Sequence, residues 1–380
     1  MAFAANLLHG LSFFMFLHLP GFLTDLGADE TEIGVLFGVT AAAAIAVRPF
    51  VGRSIDGRGR RRLIVSSGAL NVLAILLYLT VSSLGAWLYV VRVLHGVSEA
   101  AMFTALYTYG ADVVPESRRT EGLALFGVSG LLPIALGGVI GDLIVAGFGF
   151  NAMFWTAALF AASAYVIALG FNEPHRAEPT GPPSGFFKAI AQPSLLPLWW
   201  MTGVFSLVLT GYFTYLRTFV DETGIGTVGA FFAFYTAAAI IPRLLFARLP
   251  AHVGEKRVLF PAFIALVIGF VVLARAGSAA DIVVAGILCG VGHGYAFPIL
   301  FGYTVTRASE EIRGSAVTFF TTLFDIGVFI GAPLLGAIIN SAGYTTMYAL
   351  AAVTLAIATG VYFVWDRRWD PTPERAATRS

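Results

Sequence analysis

Apolar residues run along this chain in long blocks, separated by short charged or Gly/Pro-containing stretches. About 20 apolar residues in a helix cross the hydrocarbon core of a bilayer. Blocks of that length recur twelve times, at 3–26, 33–54, 63–83, 86–112, 119–146, 150–171, 194–220, 227–249, 257–275, 281–306, 314–340 and 344–365. The longest polar gap, 172–193, contains Asn172-Glu173-Pro174-His175-Arg176 and Pro179-Thr180-Gly181-Pro182-Pro183, which cannot continue a helix. The pattern predicts an all-α polytopic membrane protein with a six-helix bundle over 1–172, a cytoplasmic linker over 173–193, and a second bundle with a short cytoplasmic tail over 194–380. Within the linker, Phe186-Phe187-Lys188-Ala189-Ile190 predicts a short helix lying on the inner leaflet.

The pattern also repeats. Gly34 to Arg62 aligns without a gap on Gly229 to Arg257. Gly34 meets Gly229, Ala43-Ala44 meets Ala238-Ala239, Arg48 meets Arg243, Arg53 meets Arg248, Gly59 meets Gly254, and Arg61-Arg62 meets Lys256-Arg257. Such a long repeat implies two related halves. The centre of the first copy is the turn Gly52-Arg53-Ser54-Ile55-Asp56-Gly57-Arg58-Gly59-Arg60-Arg61-Arg62, in which five of eleven residues are arginine. Glycines at 52, 57 and 59 suit a tight helix-to-helix connection. Asp56 is its only acid and has become Ala251 in the second copy, while Gly52 has become Ala247.

Composition agrees with the membrane reading. The 380 residues are 58% hydrophobic and only 12% charged, against about 25% charged in soluble domains. The net charge of +1 carries no signal for nucleic acid. A single cysteine, Cys289, excludes an internal disulfide and suggests no metal framework. The first apolar run is long and ends in Asp25 without a small-residue cleavage site, so no cleavable signal is expected. There is no Gly-x-x-x-x-Gly-Lys-Ser/Thr string, so neither ATP nor any other cofactor is expected. With both termini inside, 20 of the 23 basic residues lie on the cytoplasmic side or at inner membrane ends. The loop 27–32 carries Asp29, Glu30 and Glu32 and no base. That asymmetry predicts a multi-pass protein of the cell (inner) membrane with cytoplasmic termini.

These residues resemble the major facilitator superfamily. The turn at 52–62 is similar to its Gly-x-x-x-Asp-basic-x-Gly-basic-basic loop motif, except for Gly57 where a basic residue is usual. Arg92-Val93-Leu94-His95-Gly96 resembles its Arg-x-x-polar-Gly motif. Gly127, Gly130, Pro133, Gly137 and Gly138 match loosely the Gly/Pro motif associated with exporters. Phe324-Asp325-Ile326-Gly327 through Gly331-Ala332-Pro333 looks like a subgroup of bacterial exporters of small metabolites and drugs. The resemblance implies a secondary active transporter, acting as a monomer. It also implies a conformational latch of Gly52, Asp56, Gly59, Arg60, Arg61 and Asp112. In that latch Asp56 caps the eleventh helix near Arg313, and Arg60 or Arg61 pairs with Asp112. Breaking it would shift a conformational equilibrium rather than unfold the protein.

Coupling chemistry is sought among ionisable groups inside the spans, which are costly in lipid and tend to face a cavity. Arg92, His95 and Glu99 fall at i, i+3 and i+7, on one helical stripe. A guanidinium there would hold Glu99 ionised, and His95 would relay a proton. Shifted by 194, Glu99 meets His293 and Gly96 meets Gly290. A carboxylate and an imidazole are therefore expected at pseudo-symmetric points near mid-membrane, where transporters of this build hold substrate and ions. Asp325 is a further buried acid, expected either to share the proton or to bond a neighbouring backbone group. Span one offers His9, Ser12 and His18; span seven offers Trp199, Trp200, Tyr212, Tyr215 and Arg217. With 33 phenylalanines and 13 tyrosines, the chain suits an aromatic pocket for an amphipathic metabolite or drug. Arg92 and Arg217 would alternatively hold an organic anion.

Proton-coupled efflux of a small organic solute is the expected function, with proton-coupled import or uniport of an organic anion as the alternative. Two other classes are weaker. Gly127-Val128-Ser129-Gly130 matches the Gly-x-Ser-Gly string of intramembrane serine proteases, with His293 as a base, but a protease has no need of two equivalent halves. A receptor or sensor would be expected to carry a soluble signalling domain, which the sequence lacks.

Overall fold

The computed structural model describes residues 1–114, 119–173, 186–245 and 249–369. Among these residues every regular element is helical. The first crossing, α1 (Ala2–Asp25), contains a 3-10 turn at Phe16–His18. It is followed by α2 (Glu30–Arg58), α3 (Arg60–Leu77) and α4 (Ala86–Val113). A 51-residue helix, Arg119–Leu169, comes next. A straight helix of that length would reach about 77 Å, more than twice the bilayer core. It breaks at Gly149, whose φ of 76° is open to glycine and costly for other residues, giving α5 (119–148) and α6 (150–169).

The second half repeats the plan with α7 (Leu196–Thr223), α8 (Val228–Leu245), α9 (Glu255–Ala274) and α10 (Ala279–Arg307). The 53-residue helix Arg313–Trp365 breaks at Gly343, with φ 79°, into α11 (313–342) and α12 (344–365). Twelve long helices result among the described residues, in two pseudo-symmetric bundles of six. A short helix, Phe186–Ala191, lies before α7; its Phe187 is 82% exposed and its Phe186 ring meets Phe319 at 5.9 Å.

Contacts come in matched pairs. The α1 helix packs on α5 and α6 as α7 packs on α11 and α12; α4 packs on α2 and α3 as α10 packs on α8 and α9. Across the halves, α2 lies on α11 and α8 lies on α5. Small residues carry these crossings, as expected where lipid removes any hydrophobic drive between helices. A β-carbon on Gly34 would collide with the carbonyl of Ala332 in α11, and one on Gly229 would meet Val139 and Asp142 in α5. The two copies of the repeat thus begin in equivalent surroundings.

The connection at 52–62 differs from the expected eleven-residue turn. Helix α2 runs on through Arg58, and Gly59 alone breaks it, at φ 92°. Gly254 stands at the matching point before α9 with φ 101°. The glycines at 52 and 57 are helical, so only Gly59 uses the left-handed region. A long α2 is favoured at its other end by a capping box, with Asp29 accepting from Glu32 N–H at 2.8 Å and Glu32 accepting from Asp29 N–H at 3.1 Å.

Candidate functional site

Helix α4 has 28 residues, and Glu99 stands at its midpoint, about 20 Å along the axis from either end. Its side chain is buried, as are those of Arg92 and His95. The groups around Glu99 come from three helices. Asn71 of α3 donates to Oε1 at 2.6 Å. His9 of α1 brings Nε2 to 3.3 Å from Oε2, and His95, one turn away on α4, brings its own Nε2 to 3.4 Å from Oε1. The Nδ1 atom of His9 is buried without a hydrogen-bond partner. A carboxylate between two imidazoles and an amide can give up or accept a proton with ring nitrogens at hand on both sides.

Arg92 does not do what its place on the stripe suggests. Its Nε donates to the Leu36 carbonyl at 3.0 Å, its NH1 donates to the Tyr78 hydroxyl at 3.2 Å, and its guanidinium lies 4.6 Å from the centre of the Phe37 ring. Seven residues along a helix is about 10 Å, too far for a direct pair with Glu99. The link is indirect. Having accepted from Arg92, Tyr78 is free to donate to His95 Nδ1 at 3.1 Å. A neutral His95 then carries its hydrogen on Nε2, on the side of Glu99. Arg92, Tyr78 and His95 thus form one chain, which stops at His95 Nε2, facing Glu99 Oε1 at 3.4 Å without a hydrogen bond.

His293 belongs to a different environment. Its Nδ1 is hydrogen-bonded to Tyr235 of α8, and its ring stands edge-on to Phe205 at 5.3 Å and beside Phe297 at 6.0 Å. Asp325, for which a backbone bond was one expectation, instead forms an ion pair with Arg48 of α2, linking the two halves within the membrane. Ser129 accepts from Asn6 at 2.8 Å and donates to the Phe126 carbonyl at 2.6 Å, an arrangement of a structural hydroxyl rather than a nucleophile.

The contacts between halves are unevenly placed. At the end carrying Asp29, Tyr215 of α7 donates to the carbonyls of Glu30 and Ala332. Asn340 donates to Asp29 at 2.9 Å, Tyr344 donates to Glu30 at 3.0 Å, and Gly229 N–H donates to Asp142 at 2.6 Å. Arg217 is held at the same end by Asp221 at 2.7 Å and by His18 at 3.3 Å. At the opposite end, the described ion pairs stay within a bundle. Arg60 pairs with Asp112 at 2.8 Å, while Arg61 donates to the carbonyls of Phe171 and Leu169. Glu173 accepts from the backbone N–H groups of Arg60 and Arg61 at 2.7 and 2.9 Å, an anion seated on the first turn of α3. In the second half, Lys256 and Arg307 converge on the buried Asp366. Gly52 has open space where a β-carbon would stand. The side chain of Asp56, and with it the expected cap near Arg313, lies outside the described residues.

Sequence reasoning gave no site role to Asn71, Tyr78, Arg48 or Glu173. A polar Asn in the apolar run 63–83 and an Arg inside 33–54 were the available signals.

The fold and this distribution of contacts define a helical membrane transporter, not an enzyme, built from two bundles. The chain belongs to the Major Facilitator Superfamily, whose family model matches residues 2–332 and 227–380. It is 24% identical over 372 residues to the Staphylopine export protein of Staphylococcus aureus, covering 93% of this chain and 91% of that one. To the Multidrug resistance protein 2 of Bacillus subtilis it is also 24% identical over 372 residues, covering 92% and 90%. The fold is shared with the crystal structure of the nucleoside transporter NupG, at a TM-score of 0.74 and 13% identity, covering 96% of this chain and 99% of that one.

Proposed function

We propose that this protein is a proton-coupled exporter of a small, amphipathic organic solute, working by alternating access with Glu99 as the coupling carboxylate. The observation that carries the reading is the burial of Glu99 at the midpoint of α4 between His9, His95 and Asn71. Relatives named as an export protein and a multidrug resistance protein support the direction. The basic residues gathered at one end orient that end, both termini, the 173–193 linker and the tail toward the cytoplasm. On that orientation the contacts around Asp29, Tyr215 and Asn340 seal the outside. The bundles 1–172 and 194–380 then rock about the α2–α11 and α5–α8 crossings. Arg60, Asp112 and Glu173 brace the inner end of the first bundle, with Gly59 permitting the turn.

Import of an organic anion fits less well. The two arginines suited to hold a carboxylate, Arg92 and Arg217, are already engaged, one by Leu36 and Tyr78 and the other by Asp221 and His18. A thermal-shift panel of metabolites and drugs selects the probe solute. Proteoliposomes with an imposed pH gradient then give the test. Glu99→Gln is expected to lose gradient-driven accumulation while keeping solute exchange without a gradient. Accumulation equal to wild type would rule out Glu99 as the coupling group.

A further inference from the structure

The seal at the Asp29 end contains a second ionisable cluster that the coupling carboxylate does not involve. His18 of α1 is completely buried at the point where α1, α5 and α7 meet. Its Nε2 lies 3.0 Å from the Gly138 carbonyl of α5. A carbonyl only accepts, so Nε2 carries the hydrogen. In the neutral ring Nδ1 is then an acceptor, and Arg217 NH1 of α7, from the other half, donates to it at 3.3 Å. Asp142 of α5 waits beside the same atom, with Oδ1 3.7 Å from Nδ1. Its other oxygen accepts from Gly229 N–H of α8.

The charged groups facing this ring are few and known. From α5 comes Asp142; from α7 come Arg217 and, behind it, Asp221 at 2.7 Å from Arg217 Nε. Asp25 lies two turns further along α1, and α8 offers the backbone N–H of Gly229 to Asp142. Arg217 NH1 also stands 3.9 Å from Asp142 Oδ1, so one guanidinium nitrogen is shared between the ring and the carboxylate.

We propose that His18 is a second proton-binding site, and that its occupancy decides whether the two halves stay joined at this end. Neutral His18 accepts from Arg217 and holds α7 against α1. A proton on Nδ1 turns that acceptor into a donor aimed at a cation. The imidazolium takes Asp142, and Arg217 loses both its ring partner and its share of Asp142. What remains to it is Asp221, on its own helix. Acid therefore loosens the seal and favours the state open at this end. The inference rests on the transport cycle proposed above only for its place in that cycle; the switch itself stands on the geometry.

The test uses the full chain in nanodiscs, with Cys289→Ala removing the native thiol and spin labels at Ser83→Cys and Ser341→Cys, exposed positions at this end of the two bundles. Between about pH 8 and about pH 5 the ratio of long to short distances is expected to rise about tenfold, the shift that one pKa unit of difference between the states produces. His18→Gln copies the neutral ring permanently, its amide donating to Gly138 and its carbonyl accepting from Arg217. That variant is expected to change less than about twofold over the same range. Placed in a Glu99→Gln background, His18→Gln is expected to remove the same share of the response as it does in wild type, which separates failure here from failure of the coupling assignment. A flat wild-type response, or a wild-type response in His18→Gln, overturns the proposal. Should His18→Gln not fold, Asp142→Asn decides: it keeps an oxygen for Gly229 N–H but gives the imidazolium no carboxylate, so a full response in it is equally fatal.

Discussion

Helices α4 and α10 are the same helix written twice, and they differ in one respect. Where they cross their neighbours, the backbones agree. A β-carbon on Gly96 would collide with the Thr40 carbonyl of α2, and one on Gly290 would collide with the Tyr235 carbonyl of α8. Thr40 and Tyr235 are themselves repeat partners. What the helices carry at matched positions is unlike. Arg92, whose Nε reaches the Leu36 carbonyl, corresponds to Gly286, which packs directly on the Phe231 carbonyl. His95 corresponds to Cys289, Glu99 to His293, and Asn71 of α3 to Leu266 of α9. Duplication kept the contacts that fix helix positions. The first half carries an ionisable cluster there, and the second an aromatic one of Phe205, Tyr235 and Phe297 around His293.

The shared part of the comparison should break most severely. Gly96→Leu and Gly290→Leu each force a side chain into a neighbouring carbonyl that belongs to a helix backbone and cannot step aside. Each is expected to cost about 3 kcal/mol, at the upper end for overpacking, and the two costs should be alike. Thermal unfolding of the purified variants measures both. A large loss at one site with none at the other would mean that the two crossings are not equivalent.

The divergent part is sharpened by making one half imitate the other. Asn71→Leu installs the residue of the second half and removes the shortest donor to Glu99. Losing a hydrogen bond to a buried carboxylate is expected to cost about 2 kcal/mol, read by the same melts. If Asn71→Leu is neutral, the amide does not support Glu99 and the cluster is looser than its distances imply.

How much of this was legible beforehand follows from what determines each feature. Span positions and the repeat from Gly34 and Gly229 depend on local composition and spacing, and the structure agrees with both. The stripe of Arg92, His95 and Glu99 was visible because helical period is local. Its internal pairing was misread: the seven-residue separation put Arg92 and Glu99 about 10 Å apart, and Tyr78 bridges the gap. Partners from other helices were not legible at all. His9 and Asn71 converge on Glu99 from α1 and α3, and Arg48 meets Asp325 from 277 residues away. Periodicity gives the face a residue occupies but not which helix lies opposite.

The Arg48–Asp325 pair tests whether the halves are held electrically as well as by small residues. A double-mutant cycle of Arg48→Gln and Asp325→Asn is expected to show a coupling of about 1 kcal/mol in stability. Zero coupling would leave the α2–α11 crossing to glycine packing alone.

The smallest effect is expected at His293, and it bears directly on the comparison. If the second half contributes an aromatic wall rather than a proton site, the imidazole serves to hold Tyr235 among Phe205 and Phe297. Gln at that position keeps a polar group within reach of the Tyr235 hydroxyl. His293→Gln should then cost about 0.6 kcal/mol, the usual size of a hydrogen bond between membrane helices, and leave gradient-driven transport intact. His95→Gln, in the first half, removes the imidazole that stands between Tyr78 and Glu99 and should lower gradient-driven transport at unchanged stability. Measuring both variants in the same proteoliposomes makes the contrast decisive. Equal loss in the two would mean that both halves handle the proton, and that the division between a charged face and an aromatic face is wrong.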